Sequence, residues 1–327
     1  MAKTMTTEPK LEVVEGWEKL PPGLSHRDVA AVAVGSDDRV YLATRVRSCI
    51  FVYERDGTFV RTWGEGMFSD RLHGLTIHPD GTLYVVDDAG HSVRHFTVDG
   101  KELAPLGPVG KPSDTGYDGT NLATVTRSAG PYNRPTNLAV APNGDLYVSD
   151  GYGNARVHHF SPDGRLLHSW GEPGTGPGQF KISHGICVLP DGRVLVCDRE
   201  NDRIQVFDLA GRYVTEWPAQ RPTQLFLGPD GLLHIAELWW RKGPRTPRGV
   251  EIVADRFSRL SILDRSGRVL TRFGGGPPNT PGNFTAPHGI AVDSRGDVYV
   301  AEVTHTIGVG PGLVASGAPT FRKLARP

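Results

Sequence analysis

Five segments of one shape recur along the chain: GTLYVVDD (81–88), GDLYVSDG (144–151), GRVLVCDR (192–199), GLLHIAEL (231–238) and GDVYVAEV (296–303). A weaker sixth is DRVYLATR (38–45). Each opens on a turn and runs into a β-branched and aromatic strand, and the unit recurs at roughly 40 residues with two long insertions, the period of a β-propeller. Inside a unit, an apolar strand (GLTI, NLAV, GICV, GIAV) leads through a Pro-Asp-Gly or Pro-Asn-Gly turn into this segment. A third strand follows (SVRHFT, ARVHHFS, RIQVFD, RLSILD), then an Asp-Gly or Ser-Gly turn and a fourth such as RLLHSWG. These period-two runs bounded by turn residues read as antiparallel meanders. The expected fold class is all-β, a six-bladed β-propeller.

Counting back eight residues from each turn reaches Ala30, His73, Thr136, His184, Thr223 and His288 in chain order. Histidine occupies every second copy. If the first strand of each blade lines the central channel, alternate blades stand about 120° apart around the axis and the three imidazoles converge as a triangle. Three His ligands with an open fourth position are the catalytic pattern for zinc, whereas structural zinc sites are closed by four protein ligands. The register therefore points to Zn2+ or another divalent transition metal on His73, His184 and His288. The bland alternative is histidine placed at strand starts for packing or hydrogen bonding.

The 327 residues carry 36 Lys+Arg and 36 Asp+Glu, so net charge gives no case for a nucleic-acid or anionic-membrane partner. The 41 glycines and 26 prolines are the turn residues of many short strands. No stretch approaches the apolar length of a membrane-spanning helix, and the N-terminus lacks the apolar core of a secretory signal. Residues 1–20 read as a flexible lead, followed by a strand that helps close the ring, and 21–327 as one propeller domain. Cys49, Cys187 and Cys197 have no CxxC spacing and read as unpaired, with Cys187 and Cys197 as small buried hydrophobes in successive strands of one blade. Together these features favour a reducing cytoplasm. Two segments interrupt the repeat, about 104–134 and about 239–257. Each is open to two readings, a substrate wall at the channel mouth or plain surface decoration.

The run VSDGYGNARVHHFSPDGRLLHSWGE (148–172), followed by PGQFKISHGICVLPDGRVLVCDRENDRIQVF (177–207), resembles the lyase half of the peptidylglycine α-amidating enzymes, six-bladed propellers of NHL-type repeats. The likeness extends to LHGLTIHPDGTLYVVDDAGHSVRHF (72–96) and APHGIAVDSRGDVYVAEVTHT (286–306). The resemblance implies a catalytic zinc on His73, His184 and His288, the three residues that the repeat register selects independently. It carries the family's catalytic tyrosine onto Tyr152 in DGYGN. Its active-site arginines fall on Arg199 in DREN and on Arg45 in YLATRVR, with Arg47 the alternative to Arg45.

The implied reaction cleaves a peptidyl-α-hydroxyglycine, a carbinolamide, into an amide and glyoxylate. Tyr152 is the expected general base. A free phenol titrates near 10, so the metal and an arginine would have to favour its phenolate. An arginine fork suits the glyoxylate carboxylate.

Three departures from the resemblance stand out. The cysteine after the family's tyrosine is Gly153, so oxidative stapling is absent. A calcium-binding aspartate after the third histidine is Gly289, which argues against a structural Ca2+. A methionine two residues before that histidine is Ala286. The leading expectation is thus a metal-dependent carbon–nitrogen lyase acting on a small molecule or peptide, without nucleic-acid or membrane partners. Two other classes stand beside it. One is a propeller metallohydrolase of lactonase or esterase type, whose metal sites are typically carboxylate-rich. The other is a non-catalytic NHL scaffold, which needs no converging imidazoles. His78, His91, His158, His159 and His168 read as surface strand or turn residues, Asn154 and Asn201 as structural turn residues, and His305 as supporting the site or playing no part.

Overall fold

The computed structural model describes residues 10–246 and 249–326. Six antiparallel sheets follow one another around an axis, each entered at its innermost strand. The inner strands are Val29–Val34, Leu72–Ile77, Pro135–Val140, Ser183–Val188, Pro222–Leu227 and Pro287–Val292. Successive inner strands pack on one another, and the first packs on the last, so the ring is closed. Apolar side chains of facing sheets fill the space between blades. Tyr147, Phe180, Val196 and Phe207, for example, are wholly buried between the third and fourth.

Closure uses the N-terminus. The sixth sheet contains Pro287–Val292, Val298–Glu302 and Phe321–Ala325, and its outermost strand is Glu12–Val13, which pairs Glu12 with Ala325 and Val13 with Leu324. Trp17 is buried against Tyr53, Tyr299 and Phe321. The lead expected over 1–20 is therefore part of the propeller from at least Glu12 onward, because the outer edge of the last blade would otherwise present an unpaired strand. The second blade also departs from the four-strand pattern. After Ser92–Thr97 its outer edge is held by two isolated bridges, Phe96 to Glu102 and Val93 to Leu106.

One irregularity repeats in every blade and matters for the site. Pairing of the first two strands slips at the second residue of the inner strand, where the ladder skips from Leu72 to Gly74, from Pro222 to Gln224 and from Pro287 to Gly289, with corresponding slips in the other blades. A bulge adds a residue to one strand and re-aims its side chain. The residues in these bulges are Ala30, His73, Thr136, His184, Thr223 and His288, so the sequence register is a ring of bulges.

A carboxylate at the end of the second strand ties down the segment entering five of the blades. Asp87 accepts from Ser69 N, Asp150 from Asn133 N, Asp198 from Lys181 N, Glu237 from Gln220 N and Glu302 from Thr285 N. All five carboxylates are buried. Asn154 and Asn201 hydrogen-bond to Asp150 and Asp198, the structural role expected of them. His158 and His159 are buried rather than surface residues, held by Asp150 and Asp145 through Nε2. Cys197 is fully buried, and burial pushes the Cys187 thiol up to about 12. No helix among the described residues is long and apolar enough to cross a membrane.

Candidate metal centre and active site

The three histidines meet on the axis. Their ring centroids are 4.6, 4.6 and 4.7 Å apart, a nearly equilateral triangle, and their ligand nitrogens all lie within 4.8 Å of one another. Each Nδ1 lies against the backbone carbonyl of the next register residue: His73 on Thr136 O at 2.6 Å, His184 on Thr223 O at 2.7 Å, His288 on Ala30 O at 2.6 Å. A carbonyl only accepts, so Nδ1 carries the proton and Nε2 presents its lone pair to the axis, the arrangement that orients metal-binding imidazoles. The non-histidine positions of the alternation are thus acceptors that orient the ligands.

The glycine after each histidine permits this approach. A Cβ at Gly74, Gly185 or Gly289 would stand 2.7, 2.5 or 2.8 Å from Thr136 O, Thr223 O or Ala31 Cα of the neighbouring strand. Burial, followed by the charges of neighbouring groups, holds all three imidazoles well below their ordinary pKa, so they are neutral at physiological pH. Three neutral, oriented nitrogen donors fit a divalent transition metal.

Tyr152 caps the triangle. Its Oη lies 3.3 Å from His73 Nε2, 3.2 Å from His184 Nε2, and accepts from Arg199 Nη1 at 3.0 Å. Arg199 also donates from Nε to Glu200 at 2.8 Å, and Glu200 in turn accepts from Arg221 at 2.7 Å. Packing separates Arg45 from Arg47. Arg45 is 8 % exposed, donates to Leu72 O at 3.2 Å and faces Asp28 at 3.9 Å, whereas Arg47 is 60 % exposed and pairs with Glu65. Burial, then repulsion from Arg71, holds the Arg45 guanidinium below its ordinary pKa. His305 accepts from Arg27 at 3.0 Å, and its backbone N–H bonds Asp28 behind Arg45.

Sequence reasoning missed three residues here. Arg71 and Arg134 both place their guanidiniums over the Tyr152 ring, at 5.6 and 5.8 Å, and both pair with the buried Asp88. A signal for them existed. Two residues before the register the chain reads Asp28, Arg71, Arg134, Ile182, Arg221 and Ala286, and directly after the second strand it reads Arg45, Asp88, Gly151, Arg199, Leu238 and Val303. Both series rim the axis, charged in the early blades and apolar in the last. Ala30, Leu238, Ala286 and Val303 form a small buried cluster beside His288.

Of the two inserted segments, 104–134 reaches the site. It supplies Arg134 and Tyr117, and its Leu122, Ala123 and Val125 line a cavity of about 170 Å³ with Tyr152, Lys181 and Glu200. In segment 239–257, Trp240 lies one step further out. Trp240 stacks on Arg221 at 4.3 Å and donates to Asp202 at 2.6 Å. A larger cavity of about 400 Å³ opens at the other ends of the inner strands, lined by such residues as Ile77, Val140, Val188 and Leu227. None of the three histidines lines it, so its size says nothing about the chemistry.

The NHL repeat model matches residues 132–160, 184–207 and 284–306. Peptidyl-glycine alpha-amidating monooxygenase B of Xenopus laevis is 34 % identical over 70 % of this chain, which spans only 25 % of that protein's length. NHL repeat-containing protein 3 of Homo sapiens is 31 % identical over 88 % of the chain and 80 % of its own length. Peptidyl-alpha-hydroxyglycine alpha-amidating lyase 1 of Drosophila melanogaster is 30 % identical over 74 % of the chain and 44 % of its own length. Among solved structures, virginiamycin B lyase of Staphylococcus aureus superposes with a TM-score of 0.54 at 20 % identity, covering 90 % of this chain and 82 % of that one, a likeness of fold. The chain belongs to the family of NHL-repeat β-propellers that includes the peptidyl-α-hydroxyglycine α-amidating lyases and NHL repeat-containing protein 3.

Proposed function

We propose that the protein is a metal-dependent lyase that cleaves the carbon–nitrogen bond of an α-hydroxyglycine-type carbinolamide, giving an amide and glyoxylate. One observation carries the reading: the Tyr152 hydroxyl sits within 3.3 Å of two inward-facing imidazole nitrogens and 3.0 Å of a guanidinium. His73, His184 and His288 would hold the metal. A divalent cation there supplies Lewis acidity toward a substrate oxygen.

Tyr152, as phenolate, takes the proton of the substrate hydroxyl, and Arg199 Nη1 donates to the phenolic oxygen throughout. The C–O bond becomes a carbonyl as the C–N bond breaks, and Tyr152 returns the proton to the departing amide nitrogen, so atoms and charge balance. Arg45 binds the carboxylate that leaves as glyoxylate, the buried guanidinium fork matching its two oxygens. Zinc suits the all-imidazole donor set, and calcium, an oxygen-seeking cation, does not. The substrate is a small molecule or peptide reaching the site through the mouth walled by 104–134. Three free thiols accord with a reducing compartment such as the cytoplasm.

The test is metal analysis of the purified protein together with glyoxylate release from α-hydroxyhippurate. One transition-metal ion per chain with glyoxylate release supports the lyase. Metal without release but with lactone or ester hydrolysis would favour the hydrolase reading, and protein that binds no metal on reconstitution would favour a scaffold.

A further inference from the structure

Around Tyr152 positive charge exceeds negative. Asp88 is shared by two arginines, accepting Arg71 Nε at 3.0 Å and Nη2 at 2.9 Å on one oxygen and Arg134 Nε at 2.5 Å on the other. Glu200 is likewise shared by Arg199 and Arg221. Each trio carries one unbalanced positive charge, before any metal is counted. In the proposed reaction the Tyr152 phenolate, bonded to Arg199, answers the Glu200 trio, and Arg45, itself facing Asp28, takes the first carboxylate, which leaves the charge of the Asp88 trio.

The Asp88 trio has the form of a prepared receptor. Neutralising one buried carboxylate takes one guanidinium, and a second placed beside it repels the first unless an anion joins them. Arg134 is gripped on three sides, by Asp88, by the Tyr117 hydroxyl at 2.8 Å from Nη1, and by the rings of Tyr117 and Tyr152 at 5.9 and 5.8 Å. Among the described residues no protein hydrogen bond is made by Arg71 Nη1 or Arg134 Nη2. The side chains are 34 % and 15 % exposed, so an incoming anion can reach them. Pre-oriented guanidiniums with unused N–H groups are the donors that planar carboxylates select.

We propose that Arg71 and Arg134 bind a second carboxylate of the substrate, carried on the acyl side of the carbinolamide, and so select dianionic over monoanionic substrates. This rests on the lyase reading for where the first carboxylate lies.

Binding is measured apart from turnover, by titration calorimetry of the protein as purified with N-succinylglycine, which has two carboxylates, and N-pentanoylglycine, of similar reach with one. The expected result is at least about tenfold tighter binding of N-succinylglycine, as for a charge-assisted pair. Arg134→Gln should erase the preference while Asp88 keeps Arg71 as its partner, Arg134→Lys should restore part of it, and exposed Arg47→Gln should leave it intact. Equal affinities in the unmodified protein, binding of neither compound, or a preference that survives both Arg134→Gln and Arg71→Gln would overturn the subsite. Glyoxylate release from α-hydroxyhippurate without any charge preference sinks the subsite alone. A charge preference in binding without glyoxylate release sinks the reaction and leaves the subsite.

Discussion

His184 Nδ1 stands 2.7 Å from the backbone oxygen of Thr223, on the inner strand of the next blade. The same bond recurs from His73 to Thr136 and from His288 to Ala30, so each ligand is oriented by the neighbouring blade. Imidazole orientation and ring closure are thereby coupled, since a blade displaced from its neighbour loses both the packing and the bond that fixes the imidazole's tautomer.

His184→Ala leaves two imidazoles on the axis. Metal content measured by mass spectrometry should fall at least about tenfold, given that catalytic zinc sites use three protein ligands. Full retention of metal would remove the triad as the metal site.

Gly185→Ala touches no ligand, yet its Cβ would meet Thr223 O at 2.5 Å. The strands must separate, at an overpacking cost of about 1–3 kcal/mol. Thermal unfolding should show the loss, and metal affinity should weaken with it because the His184 bond to Thr223 lengthens. An unchanged melting temperature would show that the neighbouring strand yields freely.

For Tyr152→Phe the metal content should stay at that of the unmodified protein while glyoxylate release drops about 10²- to 10⁴-fold, the range for loss of a positioned proton-transfer group. Equal rates would assign the base elsewhere.

Arg45→Gln should raise KM for α-hydroxyhippurate strongly, by about 2 kcal/mol or more for loss of a charge-assisted partner to the carboxylate. Arg47→Gln should be silent, since Arg47 lies on the surface against Glu65. Initial-rate kinetics on both variants separate the two.

The buried imidazoles also set a pH dependence. Burial holds their folded pKa below the unfolded value of about 6.5, so below that pH the unfolded chain binds more protons and stability falls as pH drops. Metal-free protein should melt progressively lower between about pH 6.5 and pH 5, with a shallower slope in His184→Asn. A flat profile would show that the imidazoles do not resist protonation.

Blade number, the alternation of histidine with threonine or alanine, and the convergence of His73, His184 and His288 were all legible in the chain, because a repeat places equivalent residues at equivalent heights and radial closure then brings alternate copies together. Tyr152, Arg45 and Arg199 came from resemblance to a family, and all three are found around the triangle. The extent of the N-terminal lead was misjudged. Glu12–Val13 is two residues long, and its strand exists only because Phe321–Ala325 offers an edge to pair with. His158 and His159, read as surface residues, proved to be buried partners of Asp150 and Asp145.

By itself the sequence determined the periodic part of the protein: sheets, turns, the axis and the residues repeated around it, since these depend on local patterns that each blade repeats. Tertiary structure alone decided the rest. That Arg45 is buried and Arg47 exposed, and that Arg71 and Arg134 converge on Asp88 and Tyr152, follows from how blades one, two and three meet at the channel mouth. Pairs that cross between blades, such as Arg134 with Asp88 and His73 with Tyr152, 46 and 79 residues apart, leave no local pattern, because their contact is set by the angle between blades.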